Sequence, residues 1–175
     1  ANDYPVFESI EKCDVKADVI IDFSNSAAAD RLLDFCVDRQ IPVVLCTTGL
    51  SEEQLSKVEE AAKKVAVLKS ANMSLGINLL LKLLQDATKV LAPAGFDDRS
   101  QVRKKRDSKE IGISAVRGGT IVGDHEVIYA GADEVIEFKH TAYSKTVFGK
   151  GAVEAAKFLA GKPAGRYDMS DVIQF

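Results

Sequence analysis

The first half of the sequence alternates between short apolar runs and longer amphipathic segments, and this alternation limits the folds that the chain can adopt. The apolar runs are residues 17–23, 41–46 and 65–70, and each contains several β-branched side chains. Residues 27–39 and 51–64, which separate the runs, carry apolar residues at helical spacing. Strands that are apolar throughout are typical of a parallel sheet covered on both faces. We therefore predict a parallel sheet with helices on its faces.

Each apolar run ends in a short polar segment: Ser24–Ser26, Thr47–Gly49 and Ser70–Ser74. The carboxyl ends of parallel strands lie at one edge of the sheet, and ligands bind beyond that edge. Backbone N–H groups at a strand-to-helix turn are available to a ligand. The segments therefore predict a binding site, although each can also be a plain turn before a helix. In that alternative Ser51, with Gln54 at capping-box spacing, and Ser74 are helix caps.

The pattern changes after about residue 111. Residues 111–117, 120–131 and 133–144 are strand-like runs separated by Gly-containing turns, which favours an antiparallel or mixed sheet. The Leu-rich segment before them is interpreted as a core helix or a linker between domains rather than a partner site. We therefore expect an α/β protein with a second, α+β domain. The predicted limits are 1–91 for the first domain, 92–160 for the second, and 161–175 for a tail that returns to the first domain.

Composition excludes several classes of protein. The net charge is only −3, and acidic residues flank the densest basic run, 103–106, so we expect no nucleic-acid partner. The longest apolar stretch, 79–84, is too short to cross a bilayer, and the first residues lack a signal-peptide pattern. The three cysteines have no C-x-x-C spacing, which argues against a metal site or a disulfide framework. We expect a cytoplasmic protein without a metal or a membrane partner.

Five segments, in order, resemble one enzyme family. They read IIDFS, VVLCTTGLSEEQ, VLKSANMSLGINLLLKLL, IGISAVRGGTIVGDHEV and HTAYSKTVFGKGAV. Together they are similar to 4-hydroxy-tetrahydrodipicolinate reductase, and the resemblance extends from about Ala17 to Val172. The Gly-rich turn that opens the family's Rossmann domain is not in the sequence, so we expect the chain to begin inside that domain and to contain a partial Rossmann-type sheet.

The resemblance implies a function and an assembly. The expected reaction is reduction of a cyclic dicarboxylate substrate by NADH or NADPH in lysine and diaminopimelate biosynthesis, with use of both nucleotides or a preference for NADH. The expected assembly is a homotetramer built by the second domain. As physical support, residues 111–144 read as strands that are apolar on more than one face, and a bare apolar face is expected to meet another subunit.

The resemblance also places the cofactor-binding residues by position. Cys46 stands where the family often has Gly, Leu50 where it often has Phe, and Lys145 where Arg is more usual. An aromatic residue is usual at the position of Met73. The matched positions are Phe23, Thr47, Thr48, Ala71, Asn72, Met73, Lys145 and Phe148. Arg117, beside two glycines, is a candidate for binding a substrate carboxylate or for a structural ion pair.

One family element is missing from the sequence. The stretch H-H-x-x-K-x-D-x-P-S-G-T-A, expected after KVLAPAGFD, is not present, and Asp97 continues directly into Asp98. The resemblance places the proton donor and the substrate-binding lysine in that stretch, so the catalytic residues are unknown. Two explanations stay open. The sequence joins segments of a longer polypeptide near Asp97/Asp98, or the protein is a catalytically inactive nucleotide-binding or structural paralogue.

Overall fold

The chain divides into two compact units. The computed structural model describes residues 3–94, 113–118, 121–131 and 133–173. The parallel-sheet unit consists of Ala1–Met73 and Lys150–Phe175, and the antiparallel-sheet unit consists of Ser74–Gly149. The domain limits predicted from the sequence, 1–91, 92–160 and 161–175, remain a prediction.

Four short parallel strands form the sheet of the parallel-sheet unit. The strands are β1 (Ile20–Asp22), β2 (Val43–Leu45), β3 (Ala66–Leu68) and β7 (Gly165–Tyr167), in the order β1-β2-β3-β7. The first three lie inside the predicted apolar runs but are shorter than those runs. The parallel α/β prediction is confirmed, and the C-terminal β7 completes the sheet beside β3.

Helices cover both faces of this sheet. α1 (Ser26–Arg39) and α2 (Glu52–Ala62) join successive neighbouring strands, and right-handed crossovers place both helices on one face. Their apolar residues pack there with alternate residues of β2 and β3: Leu32, Leu33, Cys36, Val43, Leu45, Val58, Ala61, Ala62, Val65 and Val67. Val44 and Leu68 point to the opposite face and are also completely buried. On β7 the ring of Tyr167 meets Phe158 of α4 (Thr146–Leu159) edge to face at 5.8 Å.

The predicted capping box at the start of α2 is confirmed. Ser51 Oγ accepts a hydrogen bond from Gln54 N at 3.2 Å, and Gln54 Oε1 accepts one from Ser51 N at 3.1 Å. Gln54 Nε2 also donates to Ser26 O at 2.6 Å and to Asp30 Oδ2 at 3.0 Å. One glutamine therefore fixes the start of α2 against the start of α1. The remaining helices of this unit are α5 (Met169–Val172) and a 3-10 turn at Ile10–Lys12.

The antiparallel-sheet unit is a three-stranded sheet with one long helix. Its strands are β4 (Ile113–Gly118), β5 (Ile121–Ala130) and β6 (Val135–Ala142), in the order β4-β5-β6. Both neighbouring pairs are antiparallel, so of the two predicted alternatives the sheet is antiparallel rather than mixed. α3 (Leu75–Leu91) packs on it, and Tyr129 Oη lies 2.6 Å from Thr88 Oγ1. Ser74 caps this helix, since its hydroxyl accepts from Ile77 N at 3.3 Å.

Two expectations for this unit concern the faces of its strands and the burial of α3. The outward face of β5 and β6 mixes charged and apolar side chains, namely Asp124, Glu126, Glu137 and Lys139 beside Ile128, Ala130 and Val135. Val135 is 57% exposed, so apolar residues lie on both faces of these two strands. Of the two interpretations of α3, the core helix does not fit, because none of its residues is fully buried, and the linker between domains stays a prediction. Its exposed apolar side chains include Leu81, at 50% exposure, and Val90, at 70%.

Candidate functional site at the carboxyl edge of the parallel sheet

The polar segments that follow β1, β2 and β3 meet at one edge of the parallel sheet. Asp22 is paired with Leu45, and Leu68 is paired with both Val44 and Tyr167, so the four strands end at nearly the same level. Each segment leaves its strand just beyond this level, because the strands are parallel. The sequence prediction that the segments share one edge is therefore met within the parallel-sheet unit.

A buried carboxylate connects the first two strand ends. Asp22 is only 6% exposed, and its two oxygens have different partners. Oδ1 accepts a hydrogen bond from Ser24 N at 3.0 Å, and Oδ2 accepts one from Thr47 Oγ1 at 2.5 Å. Thr47 is itself 3% exposed. Its hydroxyl therefore faces into the protein and donates its hydrogen bond to the carboxylate rather than to a ligand.

A lysine and an arginine extend this connection to the other two strands. Lys69 Nζ donates to Thr47 O at 2.9 Å, and Arg166 Nη1 donates to Lys69 O at 2.9 Å and also to Tyr167 O. Partial burial lowers the pKa of Lys69, and the positive charge of Arg166 lowers it further. All four strand ends are thus joined by side-chain hydrogen bonds.

Cys46 lies in the middle of this group and is held as a neutral thiol. Burial raises its pKa to about 12, and the negative charge of Asp22 acts in the same direction, whereas Lys69 opposes it. A thiolate is the nucleophilic form of cysteine, and this environment disfavours it. The thiol is therefore unsuited to nucleophilic catalysis.

The outer surface of the edge is open and lined by small residues. Thr48, Gly49 and Ala71 are exposed, and the aromatic ring residue Phe23 is 57% exposed. Gly49 has φ +71°, a left-handed conformation that side chains disfavour, and no atom lies within 4 Å of where its Cβ would be. A planar ligand can therefore approach the backbone of the segment after β2. This geometry is compatible with one end of a dinucleotide.

The predicted cofactor residues occupy three kinds of position. Phe23, Thr48 and Ala71 lie exposed at the edge, and Asn72 is half-buried there. The side chains of Thr47 and Met73 are buried, so only their backbone groups are available to a ligand. Lys145, which is exposed, and Phe148, which is half-buried, belong to the antiparallel-sheet unit, at the beginning of α4. The binding roles of all eight residues stay predictions.

Three residues of the edge were not identified from the sequence. Asp22 had a signal, because a carboxylate at the end of a buried strand needs a partner. The sequence signal for Lys69 was weaker, because it was only a charged residue near the end of an apolar run. Nothing in the pattern pointed to Arg166, whose partner is 97 residues away.

Two predictions lie outside the described residues, namely the side chain of Arg117 and the Asp97/Asp98 junction. The described residues include no group of three or more potential metal ligands. Within the same ranges, every helix is too short or too polar to cross a membrane.

Comparison with known proteins gives consistent matches over nearly all of the chain. Residues 1–73 match the family "Dihydrodipicolinate reductase, N-terminus", and residues 85–173 match its C-terminus. The 4-hydroxy-tetrahydrodipicolinate reductase of Clostridium novyi (strain NT) is 46% identical over 207 residues, covering 98% of this chain and 82% of that protein. The corresponding protein of Caldanaerobacter subterraneus subsp. tengcongensis is 44% identical over 208 residues, covering 98% of this chain and 83% of the relative.

A solved structure supports the fold. Dipicolinate-bound dihydrodipicolinate reductase from Paenisporosarcina sp. TG-14 superposes with a TM-score of 0.67 at 13% identity, covering 89% of this chain and 74% of that one. Fold and site together define an oxidoreductase with a Rossmann-type sheet and a separate antiparallel sheet. The chain belongs to the 4-hydroxy-tetrahydrodipicolinate reductase family, which acts in lysine and diaminopimelate biosynthesis.

Proposed function

We propose that the carboxyl edge of the parallel sheet binds NADH or NADPH for reduction of 4-hydroxy-tetrahydrodipicolinate to tetrahydrodipicolinate. The observation that carries this proposal is the open edge at Thr48, Gly49 and Ala71, where the backbone of two strand-end segments is accessible. Accessible N–H groups and small side chains at this edge of a parallel sheet are typical of dinucleotide sites. When bound, the cofactor supplies the hydride.

The residues of the edge bind and orient in this proposal. Gly49 and Thr48 offer backbone groups to the nicotinamide half of the dinucleotide, and Asn72 offers an amide that can both donate and accept hydrogen bonds. Phe23 supplies an exposed ring face at the end of β1. The thiol of Cys46 is a poor nucleophile in this environment, because burial raises its pKa to about 12. Lys145 and Phe148 are proposed as further cofactor contacts on the basis of their match to the family pattern.

Calorimetric titration with NADH and NADPH tests the proposal. We expect saturable binding of both nucleotides, with NADH bound at least as tightly. In the companion assay, the intact polypeptide oxidises NADH when it is supplied with the condensation product of aspartate semialdehyde and pyruvate. Failure to bind either nucleotide would remove the assigned site, and binding of NADPH alone would contradict the expected preference.

Three further properties belong to the same proposal. The substrate is a small dicarboxylate, as the names of the relatives indicate. The assembly is a homotetramer, with the antiparallel-sheet unit forming the contacts between subunits. The location is the cytoplasm, where reduced nicotinamide nucleotides are available.

A second candidate is a catalytically inactive nucleotide-binding or structural paralogue. The alignment with the Clostridium novyi protein has 207 positions, and 98% of this chain is about 172 residues, so about 35 positions of the relative have no counterpart here. These unmatched positions leave room for the missing His-His-x-x-Lys motif, which supports the enzyme rather than the inactive paralogue. Mass spectrometry of the intact polypeptide distinguishes the candidates. A mass near 18.9 kDa favours the inactive paralogue, and a mass several kilodaltons greater favours the enzyme.

A further inference from the structure

We propose that Asp22 is a positioning residue, which holds the segment after β2 in its binding conformation through Thr47. The inference rests on the proposed function, because the segment it positions is the one proposed to meet the nicotinamide. Asp22 itself is buried and does not face the open side of the edge. Its effect on the cofactor is therefore indirect.

Thr47 is held at two points by different strands. Its hydroxyl donates to Asp22 Oδ2 on β1, and its carbonyl oxygen accepts from Lys69 Nζ after β3. A residue fixed through both its side chain and its carbonyl group has little freedom to rotate. The next two residues, Thr48 and Gly49, are the exposed ones. Fixing Thr47 therefore sets the direction in which their backbone groups leave the sheet.

Burial makes this arrangement sensitive to the loss of one partner. Asp22 is 6% exposed and Thr47 is 3% exposed, so water is poorly placed to replace a missing hydrogen bond. A buried charge that loses a partner destabilises the conformation that contains it. The other Asp22 oxygen accepts from Ser24 N, so the same carboxylate also fixes the segment after β1. Two segments of the edge thus depend on one side chain.

The test compares two substitutions at Thr47. Thr47→Val keeps the shape of the side chain but removes the hydroxyl, and Thr47→Ser keeps the hydroxyl but removes the methyl group. We expect Thr47→Val to raise the Kd for NADH about tenfold, which is the effect of losing one hydrogen bond to a charged group. Thr47→Ser should stay within about twofold of the unsubstituted chain, a difference that is small on the same scale. Asp34→Asn is the control, since Asp34 is an exposed carboxylate that pairs with Lys57 on the helical surface.

Hydrogen exchange provides a readout that does not depend on the cofactor. We expect the amides of Cys46, which donates to Asp22 O, and of Ser24, which donates to Asp22 Oδ1, to exchange about tenfold faster in Thr47→Val than in Thr47→Ser, because local opening costs less without the bond from Thr47 to Asp22. A general loss of stability would instead accelerate exchange across the core strands as well. If Thr47→Val does not fold, Asp22→Ala takes its place under the same criteria, because it removes the carboxylate that accepts from Thr47 Oγ1.

The outcomes separate this inference from the proposed function. If the unsubstituted chain does not bind NADH, the proposed function fails and hydrogen exchange alone decides the positioning role. If the chain binds NADH and Thr47→Val binds it equally well with unchanged exchange, the positioning role is overturned. Equal weakening in Thr47→Val and Thr47→Ser also overturns it, because the methyl group would then be the important part of the side chain.

Discussion

Asn72 is the residue through which the cofactor site is most directly tested. It follows β3, it is half-buried, and its amide can donate and accept hydrogen bonds. Asn72→Leu keeps a similar size, and we expect it to weaken NADH binding by about 1–3 kcal/mol, the usual cost of an unsatisfied hydrogen-bonding partner. Calorimetric titration with parallel thermal melts measures both affinity and stability.

Ser74, two residues further along, is the matched control for Asn72. Its hydroxyl accepts from Ile77 N at the start of α3. Ser74→Ala should therefore cost about 1 kcal/mol of stability, the usual value for an N-cap. It should leave NADH affinity unchanged. An Asn72→Leu chain with unaltered NADH affinity would remove the assignment of residues 70–74 to the nicotinamide.

The thiol of Cys46 gives a second prediction at the scale of one residue. Its pKa is raised from 9.0 to about 12, so near pH 8 the folded chain holds about a thousandfold less thiolate at this position than an ordinary cysteine does. Iodoacetamide should therefore modify Cys46 much more slowly in the folded chain than in chain unfolded by guanidinium. Peptide mass spectrometry over a time course measures both rates, and equal rates would contradict the raised pKa.

At the scale of the element, the start of α3 depends on a glycine. A Cβ added at Gly76 would lie 2.8 Å from His140 Cδ2 and Nε2 on β6, which is too close for either side to remain in place. Gly76→Ala should therefore destabilise the chain by about 1 kcal/mol, since overpacking outweighs the better helix propensity of alanine. In a His140→Ala background the obstructing ring is absent, so Gly76→Ala should no longer destabilise the chain. Urea unfolding of the single and double variants measures the coupling.

Gly149 on α4 is the control for Gly76. No atom lies within 4 Å of where its Cβ would be, so alanine is accommodated there. Gly149→Ala should stabilise the chain by up to about 1 kcal/mol through helix propensity alone. A Gly76→Ala variant as stable as Gly149→Ala would show that the imidazole moves aside without cost.

Local signals predicted the elements well, and the contacts between elements poorly. Ser51 and Gln54 identified the start of α2 because both partners of the capping box lie within four residues. The hydrogen bond between Asp22 and Thr47 spans 25 residues and depends on the register of two strands, which no local pattern encodes. The Leu-rich run predicted a helix, but composition alone did not predict how far the apolar side chains of that helix are buried. The shared edge of the strand-end segments was therefore predicted from the sequence, while the bonds that organise it were not.

At the scale of the whole molecule, we expect a homotetramer. On α3 the apolar residues Leu79, Leu83 and Val90 share one helical face and are exposed by 37%, 40% and 70%. An exposed apolar stripe of this kind is typical of a surface that meets another chain. Light scattering at micromolar concentration should give about four times the mass that mass spectrometry finds for one polypeptide. A constant monomer mass over a concentration series would reject this assembly.

The resemblance carried most of what was predicted about the whole molecule. The family segments predicted the cofactor, the reaction and the candidate residues. The apolar runs alone predicted only a parallel sheet with a binding site at one edge. Physical support for assembly from the strands stays a prediction, because the outward face of β5 and β6 mixes charged residues with Ile128, Ala130 and Val135. Alternation in a strand becomes clear only when the register fixes which residues face the helix.

The late position of β7 in the chain has a consequence for how the protein is made. β3 ends at Leu68, but its neighbour β7 begins only at Gly165, after the whole antiparallel-sheet unit. While the ribosome is still adding those residues, one side of β3 has no strand to pair with. The local pairings of β4, β5 and β6 can form earlier, since they connect neighbours in sequence. During synthesis the nascent chain therefore carries a bare edge on β3 until β7 emerges, and an unpaired edge of this kind is where pairing with another chain is expected.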